Sequence, residues 1–262
     1  MRKKLLSLMG VGLIIALLTM VSLPAGATPI TFSGAGINTI TGQAISASAT
    51  FDLIQTNLVT NLLQVTLTNT GGEVLAPSDI LTALFFDITG NPLLSRISAT
   101  LAQESSVLFG GTDSRGVVGG EWAYTNTASG APSGAREGIS STGLGISYSG
   151  KFPGSNLQGP RSVDGLQYGI TSGIDNPAIG NTAVTGGFAL IQNSVVFQLG
   201  SLPNGFTLEQ ISNVQFQYGT AWNEPSLPGN PVPEPATMLL LGSGLIAIAG
   251  FGRKKFKKQL TA

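Results

Sequence analysis

The stretch Leu63-Gln64-Val65-Thr66-Leu67-Thr68, closed by Asn69-Thr70-Gly71-Gly72, decides the fold class of this chain. Its apolar residues take every second position, with Leu63, Val65 and Leu67 on one face and Gln64, Thr66 and Thr68 on the other. That is the period of a half-buried strand, not of a helix. The closing Asn-Thr-Gly-Gly carries turn chemistry. Downstream, Ile97, Ala99 and Leu101 alternate with Ser98 and Thr100 in the same manner. Leu81 to Ile88 (LTALFFDI) is more continuously apolar and suits a strand covered on both faces, although a run this short also fits a turn of buried helix.

Two later segments echo one another. Asn193 to Gly200 (NSVVFQLG) and Ser212 to Gly219 (SNVQFQYG) share a Phe-Gln pair shortly before a Gly, and they are expected to be adjacent antiparallel strands joined through Ser201 to Glu209. Between Gly110 and Gly187 lie nineteen glycines in 78 residues, a composition of extended loops at the edge of a sheet with no room for a long helix. The expected fold is all-β: an antiparallel, jelly-roll-like β-sandwich with long Gly-rich loops.

Composition narrows the chemistry. The 262 residues include no His and no Cys, so imidazole bases, thiolate nucleophiles, disulfides and thiolate metal sites are excluded. Charged residues make up 10% and hydrophobic ones 42%. Thirteen basic residues balance thirteen acidic ones, but they are not mixed along the chain. Eight of the basic residues sit at the two ends, while from Thr28 to Val232 five basic residues face twelve acidic ones, a net charge of −7. A surface of that sign repels nucleic acid. No phosphate-binding glycine motif is present: Gly116-Val117-Val118-Gly119-Gly120 has neither the spacing nor a following helix. No cofactor is expected.

The ends carry addresses. Arg2, Lys3 and Lys4 precede an apolar run from Leu5 to Leu23 and then Pro24-Ala25-Gly26-Ala27. This order is that of a signal helix (1–27), with small residues Ala25 and Ala27 marking cleavage before Thr28. The Sec translocon and signal peptidase are the implied partners. An exported domain would then run over 28–222, followed by a Pro-rich linker over 223–235. Five prolines in eleven positions from Pro225 to Pro235 make that linker an extended tether. Ala236 to Gly252 is uncharged for 17 residues, the lower limit for a transmembrane helix. Arg253, Lys254, Lys255, Lys257 and Lys258 form a stop-transfer cluster, so 253–262 is expected to be a cytoplasmic tail.

Val232-Pro233-Glu234-Pro235, a short apolar segment and a basic cluster, in that order, resemble the PEP-CTERM sorting signal of Gram-negative bacteria. The resemblance implies recognition of Pro233, Glu234 and Pro235 by exosortase, a membrane-embedded transpeptidase-like protease. It further implies transient anchoring in the inner membrane, then delivery to the cell surface or a matrix of exopolysaccharide and biofilm. Prolines on both sides hold Glu234 in an extended backbone that a protease cleft accepts directly. The phrases LTALFFDITGNP (81–92), GGEWAY (119–124), NLQGP (156–160) and DGLQYGITS (164–172) resemble exosortase-dependent surface proteins of the XDD type, a group without a defined biochemical role.

Candidate sites in the central domain are few. A carboxylate pair could serve a glycosidase, and Glu121 beside Trp122, with Asp113 or Asp164, is the pair to name. Trp122, Tyr124 and Trp222 are candidate glycan contacts, along with Tyr148, Tyr168 and Tyr218, against the usual fate of aromatics in a β core. No calcium-loop motif and no N-x-[ST] acceptor occurs. The sequence therefore favours a structural, non-enzymatic surface protein, with a carbohydrate-binding module as the alternative and a carboxylate glycoside hydrolase as a distant one.

Overall fold

Leu63 to Thr68 lies in the middle of a long strand, and its alternation is the alternation of burial: Leu63, Val65 and Leu67 are fully buried while Gln64, Thr66 and Thr68 are half-buried. This computed structural model describes residues 28–56, 60–110, 116–142, 155–158, 166–233 and 242–244. In chain order the strands are β1 (Ile30–Ile37), β2 (Ala44–Thr56), β3 (Thr60–Asn69), β4 (Leu81–Ile88) and β5 (Ser95–Leu101). Then come β6 (Ser106–Leu108), β7 (Ala123–Thr125), β8 (Glu137–Ser140), β9 (Ser155–Asn156) and β10 (Ile170–Thr171). The last are β11 (Leu190–Gln192), β12 (Ser194–Gly200), β13 (Ile211–Tyr218), β14 (Ser226–Pro228) and β15 (Asn230–Val232).

They form two sheets. One has six strands in the order β15-β1-β2-β3-β12-β5. The other follows β6-β11-β10-β4-β8-β7-β9, with β13 paired to β4 and β14 paired to β13. Pairing is antiparallel throughout the described residues except between β10 and β11.

One apolar core joins the sheets. Phe51 of β2 meets Phe32 of β1 edge-on at 5.8 Å and Phe86 of β4 at 5.3 Å, so a single aromatic column runs from the first sheet into the second. Such edge-to-face contacts add about 0.5–1.5 kcal/mol each beyond the area they bury. Seven of the eight residues of LTALFFDI are buried, because β4 is flanked in its sheet and covered on both faces. It is a strand, not a helical turn.

A polar knot closes one pole. Asp79, 2% exposed, accepts from Asn38 Nδ2 at 2.6 Å and Thr41 Oγ1 at 2.7 Å through Oδ1, and from the Leu75 and Ala76 N–H groups through Oδ2. It ties the β1–β2 turn to the chain entering β4.

Three expectations are corrected. The echo segments are not neighbours: β12 pairs with β3 and β5 in the first sheet, and β13 pairs with β4 and β14 in the second. They resemble each other because each faces the same core, Phe197 and Phe216 both being fully buried from opposite sides. Ile97 is 41% exposed, not buried with Ala99. Its strand pairs Ser98 with Gln198 and then Arg96 with Leu199, so Ile97 is the extra residue of a β-bulge, and the period-two reading breaks there. The Gly-rich region is more than loop: it supplies β7, β8, β9 and β10 to the second sheet. These strands of two to four residues are too short to show a period.

Candidate functional site

The chain leaves the folded body through a stitch between the two sheets. After β13 it turns, and β14 pairs back onto β13 with Phe216 opposite Leu227. Two residues later β15 is in the other sheet, lying against β1 with Ser33 opposite Asn230, Phe32 opposite Pro231 and Thr31 opposite Val232. The segment read as a free Pro-rich tether is therefore folded as far as Val232, which corrects the linker expected over 223–235. The prolines fit because both strands are short and lie at sheet edges, where a missing N–H breaks no inner ladder.

The two halves of the stitch are held differently. Leu227 is 8% exposed and seats over the glycines of Ser33-Gly34-Ala35-Gly36 in β1. A Cβ on Gly34 would lie 2.7 Å from the Pro228 carbonyl, and one on Gly36 would lie 2.7 Å from Leu227 Cδ2, so the absence of side chains there lets β14 cross. The Gly229 N–H donates to the Val214 carbonyl at 2.8 Å. Beyond that point every residue of β15 is exposed, Val232 by 42%, and Pro231 brings no donor.

Val232 and Pro233 of the sorting signal thus stand at the exit from the body, at the same end of the first sheet as Ile30. Glu234, Pro235 and the basic residues Arg253, Lys254, Lys255, Lys257 and Lys258 lie outside the described residues, as do Ala25, Ala27 and the whole 1–27 segment. Of the apolar span 236–252, residues 242–244 are described, and they are helical. No helix among the described residues is long and apolar enough to cross a membrane.

Two of the three expected glycan contacts, Trp122 and Tyr124, fall inside the protein. Trp122 is fully buried, its ring 5.0 Å from that of Phe197, where it bridges the two sheets. Tyr124 is 1% exposed, and Trp222 is half-buried against Phe85 at 5.5 Å. Neither Trp122 nor Tyr124 offers a ring face to a sugar, because the chain at β7 carries them into the core. Tyr168 and Tyr218 are buried as well, and Tyr148 lies outside the described residues. Glu121 is buried, while Asp113 and Asp164, its suggested partners, lie outside the described residues.

A different carboxylate stands out. Glu137 of β8 is wholly buried; its Oε2 accepts from the Tyr124 hydroxyl at 2.5 Å, while its Oε1 has no hydrogen-bond partner among the described residues. Burial pushes its carboxyl up to about 7, with the Asp87 charge adding to the rise and the Tyr124 hydroxyl and Arg136 opposing it. Tyr124 is raised well above its ordinary range by burial first and then by the Glu137 charge, and its oxygen accepts from the Leu94 N–H at 3.3 Å. Sequence reading passes over Glu137; an acid between Arg136 and Gly138 in a Gly-rich stretch carries no outward sign of burial.

The exit strand and the residues beyond it have the build of a C-terminal sorting signal. The family model described as the PEP-CTERM protein-sorting motif matches residues 231–254, so the match begins within β15 itself. The chain carries a PEP-CTERM sorting motif, which implies export, sorting to the cell surface and processing by exosortase. No curated protein and no solved structure matches the chain.

Proposed function

We propose that this is a structural, non-enzymatic surface protein of the XDD-type group, delivered by exosortase to an exopolysaccharide or biofilm matrix after transient anchoring through 236–252. The sorting motif at residues 231–254 carries the reading. It begins in the last strand of a β body whose largest buried aromatic rings are spent on packing, which supports a scaffold role over sugar recognition. In this reading the first 27 residues direct export through the Sec translocon and signal peptidase. The apolar span then halts in the membrane, and Arg253 to Lys258 stay on the cytoplasmic side until the tail is removed.

The test is Glu234→Ala in the full chain, followed by cell fractionation and intact mass. Loss of tail removal and retention in the inner membrane are expected; unchanged processing and location would overturn the assignment. Saturable retention on exopolysaccharide by the exported protein would instead favour a carbohydrate-binding module, and turnover of that polysaccharide a hydrolase.

A further inference from the structure

The sorting motif and the folded body share residues. Pro231 and Val232 belong to the matched motif and are at the same time two of the three residues of β15. A processing enzyme that grips the motif as an extended chain uses backbone groups on both sides of its recognition residues, as strand-accepting clefts do. While β15 lies on β1, one side of that backbone is already taken, and the body stands against it.

The packing shows where this contact gives way. On the upstream side Leu227 is buried over Gly34 and Gly36, and Gly229 is bonded to Val214. On the downstream side are three exposed residues, one of them proline. Strand β1 does not depend on β15, since all eight of its residues pair with β2, and Thr31 Oγ1 meets Thr50 Oγ1 at 2.9 Å across that pairing. Peeling from Val232 back to Gly229 leaves the two sheets and their core intact.

We propose that β15 is a releasable strap on the sorting motif: docked on β1 it withholds the motif from the processing enzyme, and released as far as Gly229 it presents it. The inference rests on the exosortase reading above. Release frees residues 230–232, which at roughly 3.3 Å per residue is about 10 Å of added reach. Only the released fraction is competent, so apparent affinity for the enzyme is reduced in proportion to that fraction.

Locking the strap tests this. Thr31 and Val232 are direct cross-strand partners, and facing Cα atoms in antiparallel pairs lie about 4.5–5.5 Å apart, within disulfide range. The chain has no cysteine of its own, so T31C/V232C in the full-length protein forms one defined crosslink after export. The readout is conversion of precursor to processed form in exosortase-containing cells, with and without a membrane-permeant reductant. The oxidised variant is expected to convert about tenfold more slowly or worse, and the reduced one at the wild-type rate. Equal rates in both states would overturn the strap.

A six-residue Gly-Ser insertion between Val232 and Pro233 in the locked protein keeps Pro233-Glu234-Pro235 intact and restores reach, and with it conversion. Continued failure would show that the crosslink acts by disturbing the fold, and the proposal would fall. The wild-type and Glu234→Ala controls separate this from the underlying reading. If both convert alike, the exosortase assignment fails and takes the strap with it; if only wild type converts but locking has no effect, the strap alone fails.

Discussion

Glu137 makes the stability of the β body fall as pH rises from about 4.5 to about 7. Folded, its carboxyl holds its proton up to about 7; unfolded, it releases it near the ordinary value of 4.5. Between those two values the folded state binds more proton than the unfolded one, so stability is complete below 4.5 and is lost progressively up to about 7. At about 1.4 kcal/mol per pH unit, the loss over that window is at most about 3.5 kcal/mol. For a body of this size that corresponds to a drop in Tm of at most roughly 7–14 °C. Glu137→Gln removes the charge while keeping an acceptor for Tyr124, and any fixed cost of the new amide is the same at every pH. Circular-dichroism melting of the exported protein at pH 5, 6, 7 and 8 is the assay. The wild-type Tm is expected to fall relative to that of the variant across the series, and Asp175, also raised by burial, adds a slope common to both. Parallel curves for the two proteins would refute the argument, because they would mean that Glu137 is as easily ionised inside the fold as outside it.

Two further outcomes test the packing. Asp79→Ala removes the acceptor of Thr41 and of two backbone N–H groups, while the Asn38 amide keeps Ser78, and should cost about 2–4 kcal/mol in urea denaturation. Gly34→Ala places a methyl group 2.7 Å from the Pro228 carbonyl, so β14 must move; a loss of about 1–3 kcal/mol is expected, with faster proteolysis within 226–232 than in wild type.

The features legible in the sequence were local ones. Leu63 to Thr68 and LTALFFDI were legible because burial in a strand is written into neighbouring residues, by alternation in the first and by continuous apolarity in the second. The sorting signal was legible because its parts stand in linear order. Pairings were not: NSVVFQLG and SNVQFQYG look like partners, yet a shared core stamps the same pattern on strands of opposite sheets. Trp122 and Tyr124 were candidates for sugar contact because ring chemistry alone does not tell a stacking platform from a core residue, and their neighbours in space, Phe197 for Trp122 and Glu137 for Tyr124, come from elsewhere in the chain. The prolines of the exit suggested a tether, since nothing near them in sequence reveals that Thr31 waits opposite Val232.

The stitch also has a mechanical meaning. For a body held at its far pole near Asn38 and pulled through Pro233, tension enters along the axis of β15. The three pairings of β15 with β1 bear it first, and on the β15 side every residue is exposed. Further extension meets Leu227, whose seat over Gly34 and Gly36 must open before β13 feels the pull. The exit acts as a short, reversible extension stage in series with the two packed sheets, so a tug through Pro233 is absorbed at the seam while the core stays closed.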